Sequence, residues 1–249
     1  MQTSQVEQGF LARPETGRHP GVVMLHDVWG LADHTRDLAR RLASEGFCVL
    51  ALDLYRREAS VKIENVGVFM RALSDPQVLA DVQAGVDFLA ARPEVSGRVG
   101  LTGFCMGGMY VLMGACACRG VAAAAPFYGL LSHRRGILHD PQGLDPKRKP
   151  REPLAMAPEL RCPLLAFFGA DDEFITADEV RELEAGLARS RQPHQVVVYP
   201  GAGHAFMNDT RPAAFRPEIA ADAWGRLLAF FAEHLRKEAD PSRSTRSEA

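Results

Sequence analysis

The chain has 249 residues, of which 47% are hydrophobic, and its formal net charge is −2. This length and composition predict one large domain with a substantial core, and the small charge gives no electrostatic reason to expect nucleic acid or an anionic membrane as a partner. No stretch approaches the ~18–20 consecutive apolar residues of a membrane span, and the first residues lack the pattern of a secretory signal. The odd number of cysteines, five, favours reduced thiols and a cytoplasmic location.

Short apolar runs alternate with amphipathic helical patterns along the chain. The predicted strands are 22–25, 48–52, 99–101, 122–127, 164–168 and 196–199. The predicted helices are 31–44, 78–91, 106–118, 177–188 and about 217–234. Strands that are apolar throughout and alternate with helices predict an α/β fold with a mostly parallel central sheet and helices on both faces. In such sheets ligands bind beyond the carboxyl ends of the strands.

A single domain is predicted for residues 1–236, and two segments of the chain lie outside this alternation. Residues 132–158 are rich in proline and basic residues, and an insertion of this length is typical of a lid. Residues 237–249 are polar, which predicts a disordered tail.

A cysteine lies between glycines at the junction of a predicted strand and a predicted helix. The run Gly103-Phe104-Cys105-Met106-Gly107 has the outline of G-x-S-x-G, the turn that exposes the serine nucleophile of α/β-hydrolases. A helix N-terminus favours a thiolate, and the N–H of Met106 is a candidate oxyanion donor. The alternative interpretation of Cys105 is an inert core thiol.

A nucleophile of this kind needs a base and an orienting acid, and both follow later strands. His204 lies in the turn after the strand that ends near Tyr199, and Asp171 and Asp172 follow the strand before it. The order nucleophile, acid, histidine is that of α/β-hydrolases. Because Gly169-x-x-Asp172 matches the usual acid turn, we expect Asp172 to be the acid, with Asp171 as the alternative.

The loop His26-Asp27-Val28-Trp29-Gly30 follows the first predicted central strand. Hydrolases of this kind place a second oxyanion donor there, and the N–H of Val28 is the best candidate. Asp27 has two interpretations of equal weight, a carboxylate that modulates the nucleophile and an N-cap of the next helix. Trp29 is a candidate for the wall of the substrate pocket.

Together these motifs resemble the dienelactone hydrolase family, the carboxymethylenebutenolidases. The resemblance covers roughly residues 5–235 and rests on G-F-C-M-G-G, H-D-V-W-G, D-D-E-F and G-A-G-H-A-F. It implies an α/β-hydrolase fold, a Cys105–His204–Asp172 triad and hydrolysis of an enol lactone or activated ester through a thioester. It also implies that no metal or organic cofactor is needed, and it places the aromatic Phe104 next to the nucleophile.

The sequence departs from this family at two positions. The resemblance implies a glutamate where this chain has Asp27, and a substrate-binding arginine where it has Asn208. Asn208 is therefore a candidate substrate contact. Arg71 has two interpretations, a substitute for a second arginine and an ordinary arginine of a helix surface, and the second is favoured. These departures leave a hydrolase of small esters or lactones as the leading hypothesis, with the physiological substrate open.

Two other classes of function were weighed. A nucleotide-binding module needs a G-x-G-x-x-G or P-loop motif after the first strand, and neither occurs there. A non-catalytic α/β-hydrolase-like binding protein is the remaining alternative, although no triad member is missing. The expected partner is a small molecule, and the chain is expected to be a monomer or a homodimer.

Overall fold

The computed structural model describes residues 1–58 and 60–236 and has one eight-stranded sheet. The strands are β1 (Gln2–Val6), β2 (Gly9–Arg13), β3 (His19–Leu25), β4 (Cys48–Leu52), β5 (Val95–Phe104), β6 (Val121–Phe127), β7 (Leu164–Gly169) and β8 (His194–Tyr199). The helices are α1 (Asp33–Ser44), α2 (Val66–Ala72), α3 (Asp75–Ala90), α4 (Met106–Ala117), α5 (Pro153–Met156), α6 (Ala177–Leu187) and α7 (Pro217–Leu235). Single 3₁₀ turns occupy Gly136–Leu138 and Ala157–Glu159.

The strand order is β1-β2-β4-β3-β5-β6-β7-β8, and every pairing from β4 to β8 is parallel. Strand β2 pairs antiparallel with both β1 and β4. The prediction of a mostly parallel sheet is confirmed. The carboxyl ends of β3, β5, β7 and β8 therefore lie along one edge, where the candidate functional residues follow.

The centre of the fold is helix α4, which is buried along almost its whole length. Its residues are small or apolar, so α4 packs closely against β5 and β6. At Gly108, a Cβ atom would lie 2.4 Å from the carbonyl oxygen of Phe127, so only glycine fits at this approach. The start of α4 is thereby held against the sheet.

Sequence patterns alone did not predict β1, β2 or α2. Strand β1 is exposed over four of its five residues, so it lacks an apolar run. Helix α2 is short and buries two residues, and it is capped by the Asn65 side chain, which accepts the N–H of Val68 at 2.9 Å. Strand β1 and helix α2 lack the periodicity from which the larger elements were predicted.

The insertion predicted from the sequence, residues 132–158, packs on the rest of the domain through side-chain contacts with α2 and α3. His133 and Lys149 are buried beside Asp75 of α3, and Arg71 of α2 forms an ion pair with Asp140 at 3.2 Å. Its proposed role as a lid stays a prediction. The tail predicted to be disordered, 237–249, lies outside the described residues.

Candidate active site

Cys105 lies at the turn between β5 and α4, with φ at 55° and ψ at −117°. This conformation is rare for a residue with a side chain, and it is held by two hydrogen bonds. The N–H of Cys105 donates to Phe127 at 3.1 Å, and its carbonyl accepts the N–H of Met109 at 3.0 Å. A Cβ at Gly107 would lie 2.4 Å from the carbonyl oxygen of Leu25, so this glycine is required for the turn.

His204 and Asp172 meet beyond the ends of β7 and β8. The Nδ1 atom of His204 lies 2.8 Å from Oδ2 of Asp172, whose side chain is fully buried. The neighbouring Asp171 is exposed. Of the two acids considered from the sequence, Asp172 is the one that contacts His204. The N–H of Phe174 donates to Oδ1 of Asp172 at 2.9 Å and fixes the carboxylate.

The environment of His204 favours its protonated form. Burial alone would lower the pKa of His204, but the Asp172 carboxylate and the Cys105 sulfur outweigh it and raise the pKa to about 10. The rings of Tyr128 and Phe174 pack edge-on against the imidazole, with centroids 5.1 Å and 4.9 Å away. The Nε2 atom is buried and forms no hydrogen bond of regular geometry within the described residues.

Cys105 differs from the other four cysteines in exposure. It is partly exposed, whereas Cys48, Cys116, Cys118 and Cys162 are buried. Burial raises the pKa of Cys48 and Cys118 to about 11, and that of Cys116 and Cys162 to about 12. Those four thiols stay protonated near neutral pH and act as small apolar groups.

Hydrogen bonds of the His26 and Tyr55 side chains fix the loop after β3. The Nε2 atom of His26 accepts the N–H of Leu54 at 3.1 Å, so Nδ1 carries the proton and donates to the carbonyl oxygen of Asp27 at 2.6 Å. Burial lowers the pKa of His26, which keeps the ring neutral. The Tyr55 hydroxyl donates to the carbonyl oxygen of Val28 at 2.9 Å. Sequence analysis did not assign these supporting roles.

Asp27 does not cap helix α1. The N-cap is Ala32, which makes no side-chain cap, while Oδ1 of Asp27 accepts the N–H of Trp29 at 2.9 Å inside its own loop. The N-cap interpretation of Asp27 is therefore wrong. Asp27 instead faces the same cavity as Cys105.

One cavity joins the ends of these elements. The side chains that line it are Asp27, Trp29, His34, Thr35, Phe104, Cys105, Tyr128, His204, Ala205, Asn208 and Arg211. Cys105, Tyr128 and Ala205 have φ values of 55°, 37° and 62°, and they are the non-glycine residues with positive φ in the described chain. Backbone strain of this kind concentrates at functional sites.

Comparison with known proteins agrees with this arrangement. Residues 8–235 match the dienelactone hydrolase family. The chain belongs to the dienelactone hydrolase family. It is 32% identical over 238 residues to a candidate carboxymethylenebutenolidase of Synechocystis, with 92% of each chain covered. It is 31% identical to a Bradyrhizobium protein named for 2-oxo-3-(5-oxofuran-2-ylidene)propanoate lactonase activity, with 91% of this chain and 89% of that protein covered.

Solved structures extend the comparison to the fold. A candidate dienelactone hydrolase of Klebsiella pneumoniae is 34% identical, with a TM-score of 0.79, and the match covers 90% of this chain and 92% of that one. An acylaminoacyl peptidase of Pyrococcus horikoshii shares the fold at 15% identity and a TM-score of 0.68, covering 93% of this chain and 40% of that one. The protein is a hydrolase with the α/β-hydrolase fold.

Three substrate contacts expected from the sequence all line the cavity of this dienelactone hydrolase family member. Trp29 is 49% exposed at its mouth, and Phe104 is buried, with its ring centroid 5.1 Å from that of Phe127. The side-chain oxygen Oδ1 of Asn208 is already occupied, because it accepts from the N–H of Thr210 at 3.0 Å and from the Thr210 hydroxyl at 2.7 Å.

Four charged or polar residues of the cavity were missed, namely His34, Thr35, Tyr128 and Arg211. Arg211 places its guanidinium carbon 5.5 Å from the centre of the Trp29 ring and forms no ion pair with any carboxylate in the described chain. His34, in the first turn of α1, also lines the cavity. Arg71 is not a substitute, because it binds Asp140 and the carbonyl groups of Ile137 and His139 away from the cavity.

No cluster of three or more histidine, cysteine, aspartate or glutamate side chains suited to a metal occurs among the described residues. No helix described here is long and apolar enough to cross a membrane.

Proposed function

We propose that this protein hydrolyses small activated esters or lactones through a thioester on Cys105. The observation that carries the proposal is the pair formed by His204 Nδ1 and Asp172 Oδ2 at 2.8 Å, beside a cavity that Cys105 also lines. A carboxylate that holds Nδ1–H leaves Nε2 to exchange a proton with the nucleophile. Membership of a hydrolase family supports the same reaction class.

In the first half of the proposed reaction, His204 Nε2 takes the Cys105 proton and the sulfur attacks the substrate carbonyl carbon. The resulting oxyanion collapses, the bond to the leaving oxygen breaks, and the imidazolium returns its proton to that oxygen. The raised pKa of His204, about 10, favours the imidazolium that forms when Nε2 takes this proton. An enolate leaves readily, which suits a thiol nucleophile.

In the second half, water replaces the leaving group. His204 Nε2 accepts a proton from water while the oxygen attacks the thioester carbonyl, and the proton then returns to the departing sulfur. The products are a carboxylic acid, together with the alcohol or enol, and the free enzyme. For a lactone both product groups remain in one molecule. Asp172 fixes the His204 tautomer throughout.

The N–H groups of Met106 and Val28 are proposed to hold the oxyanion in both steps. Met106 begins α4, where free N–H groups and the helix dipole favour negative charge. The Val28 loop is held by the His26 and Tyr55 hydrogen bonds described above, so its amide is oriented before substrate binds. Asp27 lines the same cavity and is proposed to modulate the nucleophile Cys105.

Arg211 is proposed to bind a carboxylate of the substrate. Its guanidinium lies over the Trp29 ring at the cavity wall and has no carboxylate partner in the described chain. Family resemblance places such an arginine at position 208, where this chain has asparagine. Arg211 supplies the same charge three residues later, so small acidic esters and lactones are the favoured substrate class.

The central test is hydrolysis of p-nitrophenyl acetate and of small lactones. We expect Cys105→Ala and His204→Ala to lose activity, with Cys48→Ala, a buried cysteine, as the matched control. Full activity in Cys105→Ala would remove the nucleophile from the proposal. No hydrolysis by the wild type would favour a non-catalytic binding protein instead.

Thiol reactivity provides an independent test. Iodoacetamide should alkylate Cys105 faster than the four buried thiols, by about a hundredfold near pH 7, because their raised pKa values leave little thiolate. Mass spectrometry of tryptic peptides at timed intervals gives the rates. Equal labelling of Cys105 and Cys48 would argue against an activated nucleophile.

A further inference from the structure

A second histidine–carboxylate pair borders the same cavity. The Nδ1 atom of His34 in α1 lies 3.2 Å from Oδ1 of Asp209, in the segment after β8. Arg41, about two helical turns after His34 on α1, donates to Oδ2 of Asp209 at 2.6 Å and also contacts Asp37. Asp209 is therefore held between two side chains of one helix.

This arrangement fixes which nitrogen of His34 carries the proton. Arg41 and His34 hold the pKa of Asp209 below its usual value against the opposing effect of burial, so its carboxylate is ionised and only accepts. Nδ1 of His34 must then be the donor. The second ring nitrogen, Nε2, is then an acceptor, and within residues 1–58 and 60–236 the hydrogen bond of the His34 ring is made by Nδ1.

Burial favours the neutral form of His34. Burial lowers the pKa of His34, and although Asp209 and Asp27 oppose this effect, the net shift is downward, with Arg41 adding to it. The side chain is 12% exposed and lines the cavity that holds Cys105 and His204. A neutral imidazole in this tautomer accepts a hydrogen bond and repels another acceptor.

We propose that His34 is a specificity-determining residue whose Nε2 accepts a hydrogen bond from a hydroxyl group on the acyl part of the substrate. The proposal rests on the proposed hydrolase function and narrows its substrate class. A carbonyl or carboxylate oxygen cannot fill the position, because neither has a proton to donate. His204 pairs with Asp172, so the His34–Asp209 pair is not needed to orient the proposed base and can bind the substrate instead.

The test compares lactones that differ by one hydroxyl group. α-Hydroxy- and β-hydroxy-γ-butyrolactone are set against γ-butyrolactone as competitors of p-nitrophenyl acetate hydrolysis. The wild type should bind at least one hydroxy-lactone about tenfold more tightly than the parent lactone, the size expected for one hydrogen bond in a sheltered site. His34→Phe should abolish that preference, so that its inhibition constants for the hydroxy-lactone and for γ-butyrolactone lie within about twofold of each other.

Two further variants separate recognition from folding. His34→Gln offers a side-chain carbonyl as acceptor and should retain part of the preference, whereas His194→Phe, on the exposed start of β8, should retain all of it. If the wild type shows no preference, or if His34→Phe keeps it, the inference fails. If the wild type showed no hydrolysis that depends on Cys105, the proposed function would be contradicted instead. The two failures are therefore distinguishable.

Discussion

Two histidines of this protein lie beside buried carboxylates, and their pKa values are shifted in opposite directions. His204 contacts Asp172 at 2.8 Å, and its pKa is raised to about 10. His133, in the 132–158 insertion, lies 3.4 Å from Oδ2 of Asp75, and burial and the charge of Lys149 lower its pKa to about 3. The same two residue types thus form a charged pair at one place and a neutral contact at the other.

The difference lies in the third partner. Lys149 contacts Asp75 at 2.5 Å, and the Tyr110 hydroxyl donates to the same carboxylate oxygen at 2.8 Å, so the charge of Asp75 is already compensated. Asp172 has no cation besides His204 among its described contacts, and its other oxygen accepts a backbone N–H. A histidine beside an acid is therefore a candidate base only where the acid has no other cation.

The largest effect is expected from changing the acid at the candidate site. Asp172→Asn should lower kcat about ten-thousandfold, because the amide favours the wrong tautomer of His204. Steady-state hydrolysis of p-nitrophenyl acetate measures the loss. Asp171→Asn changes the exposed neighbour and should keep kcat within about twofold of the wild type. A reversed result would assign the acid to Asp171.

A large effect on stability is expected from removing Lys149, the cation of the cluster that Asp75, Lys149, Tyr110 and His133 form. Lys149→Met leaves the buried Asp75 carboxylate without its cation, although the Tyr110 hydroxyl still donates to it, and should lower the free energy of unfolding by about 3–5 kcal/mol. Urea denaturation measures this change. The double variant Lys149→Met/Asp75→Leu should recover much of it, whereas a double variant as unstable as the single one would contradict the explanation. In Lys149→Met the pKa of His133 should also rise, which an NMR titration would detect.

A smaller effect is expected in the pH dependence of stability. The unfolded chain binds a proton at His133 below about pH 6.5, but the folded chain does so only near pH 3, so stability falls as the pH falls through this window. Between pH 7 and 5 the loss should be about 2 kcal/mol. His204, with its raised pKa, contributes with the opposite sign, and its contribution is lost as pH rises from about 6.5 towards 10.

The His133 contribution is isolated by His133→Phe, which removes the titrating group. Urea denaturation of this variant at pH 7 and at pH 5 should show a loss about 2 kcal/mol smaller than that of the wild type. His139→Phe, on an exposed position of the same insertion, is the control and should behave as the wild type does. An unchanged pH dependence in His133→Phe would refute this assignment.

The smallest effect is expected at Tyr110. Tyr110→Phe removes one hydrogen bond to Asp75 but leaves the Lys149 contact, so the free energy of unfolding should fall by about 1 kcal/mol. The ratio kcat/KM should not change, because this cluster is not part of the candidate site. A clear loss of activity in Tyr110→Phe would show that the Asp75 cluster influences the candidate active site. That result would contradict the comparison.

Sequence reasoning reached the fold and the three candidate triad residues because both leave local signals. Apolar runs of strand length predicted β3 to β8, and glycine-rich turns after the strands marked Cys105 and His204. Strand β1 left no such signal, since its side chains face solvent. That these three residues act as a catalytic triad stays a prediction.

What sequence reasoning missed depends on contacts between distant segments. His34 looked like one more residue of an amphipathic helix, and its partner Asp209 lies 175 positions away. Arg211 was overlooked because family resemblance directs attention to position 208, and only the path of the loop after His204 brings Arg211 to the cavity. His133 carried no signal, because its neutrality depends on Lys149.

The three non-glycine residues with positive φ have a consequence for how the substrate range can change. Cys105, Tyr128 and Ala205 each cost on the order of 1–3 kcal/mol of backbone strain, which the rest of the domain must offset. They fix the reacting end of the cavity through the main chain. Trp29, His34 and Arg211 line its wall from conformations without that strain. Evolution or a protein engineer can therefore exchange the selecting side chains while the chemistry stays in place.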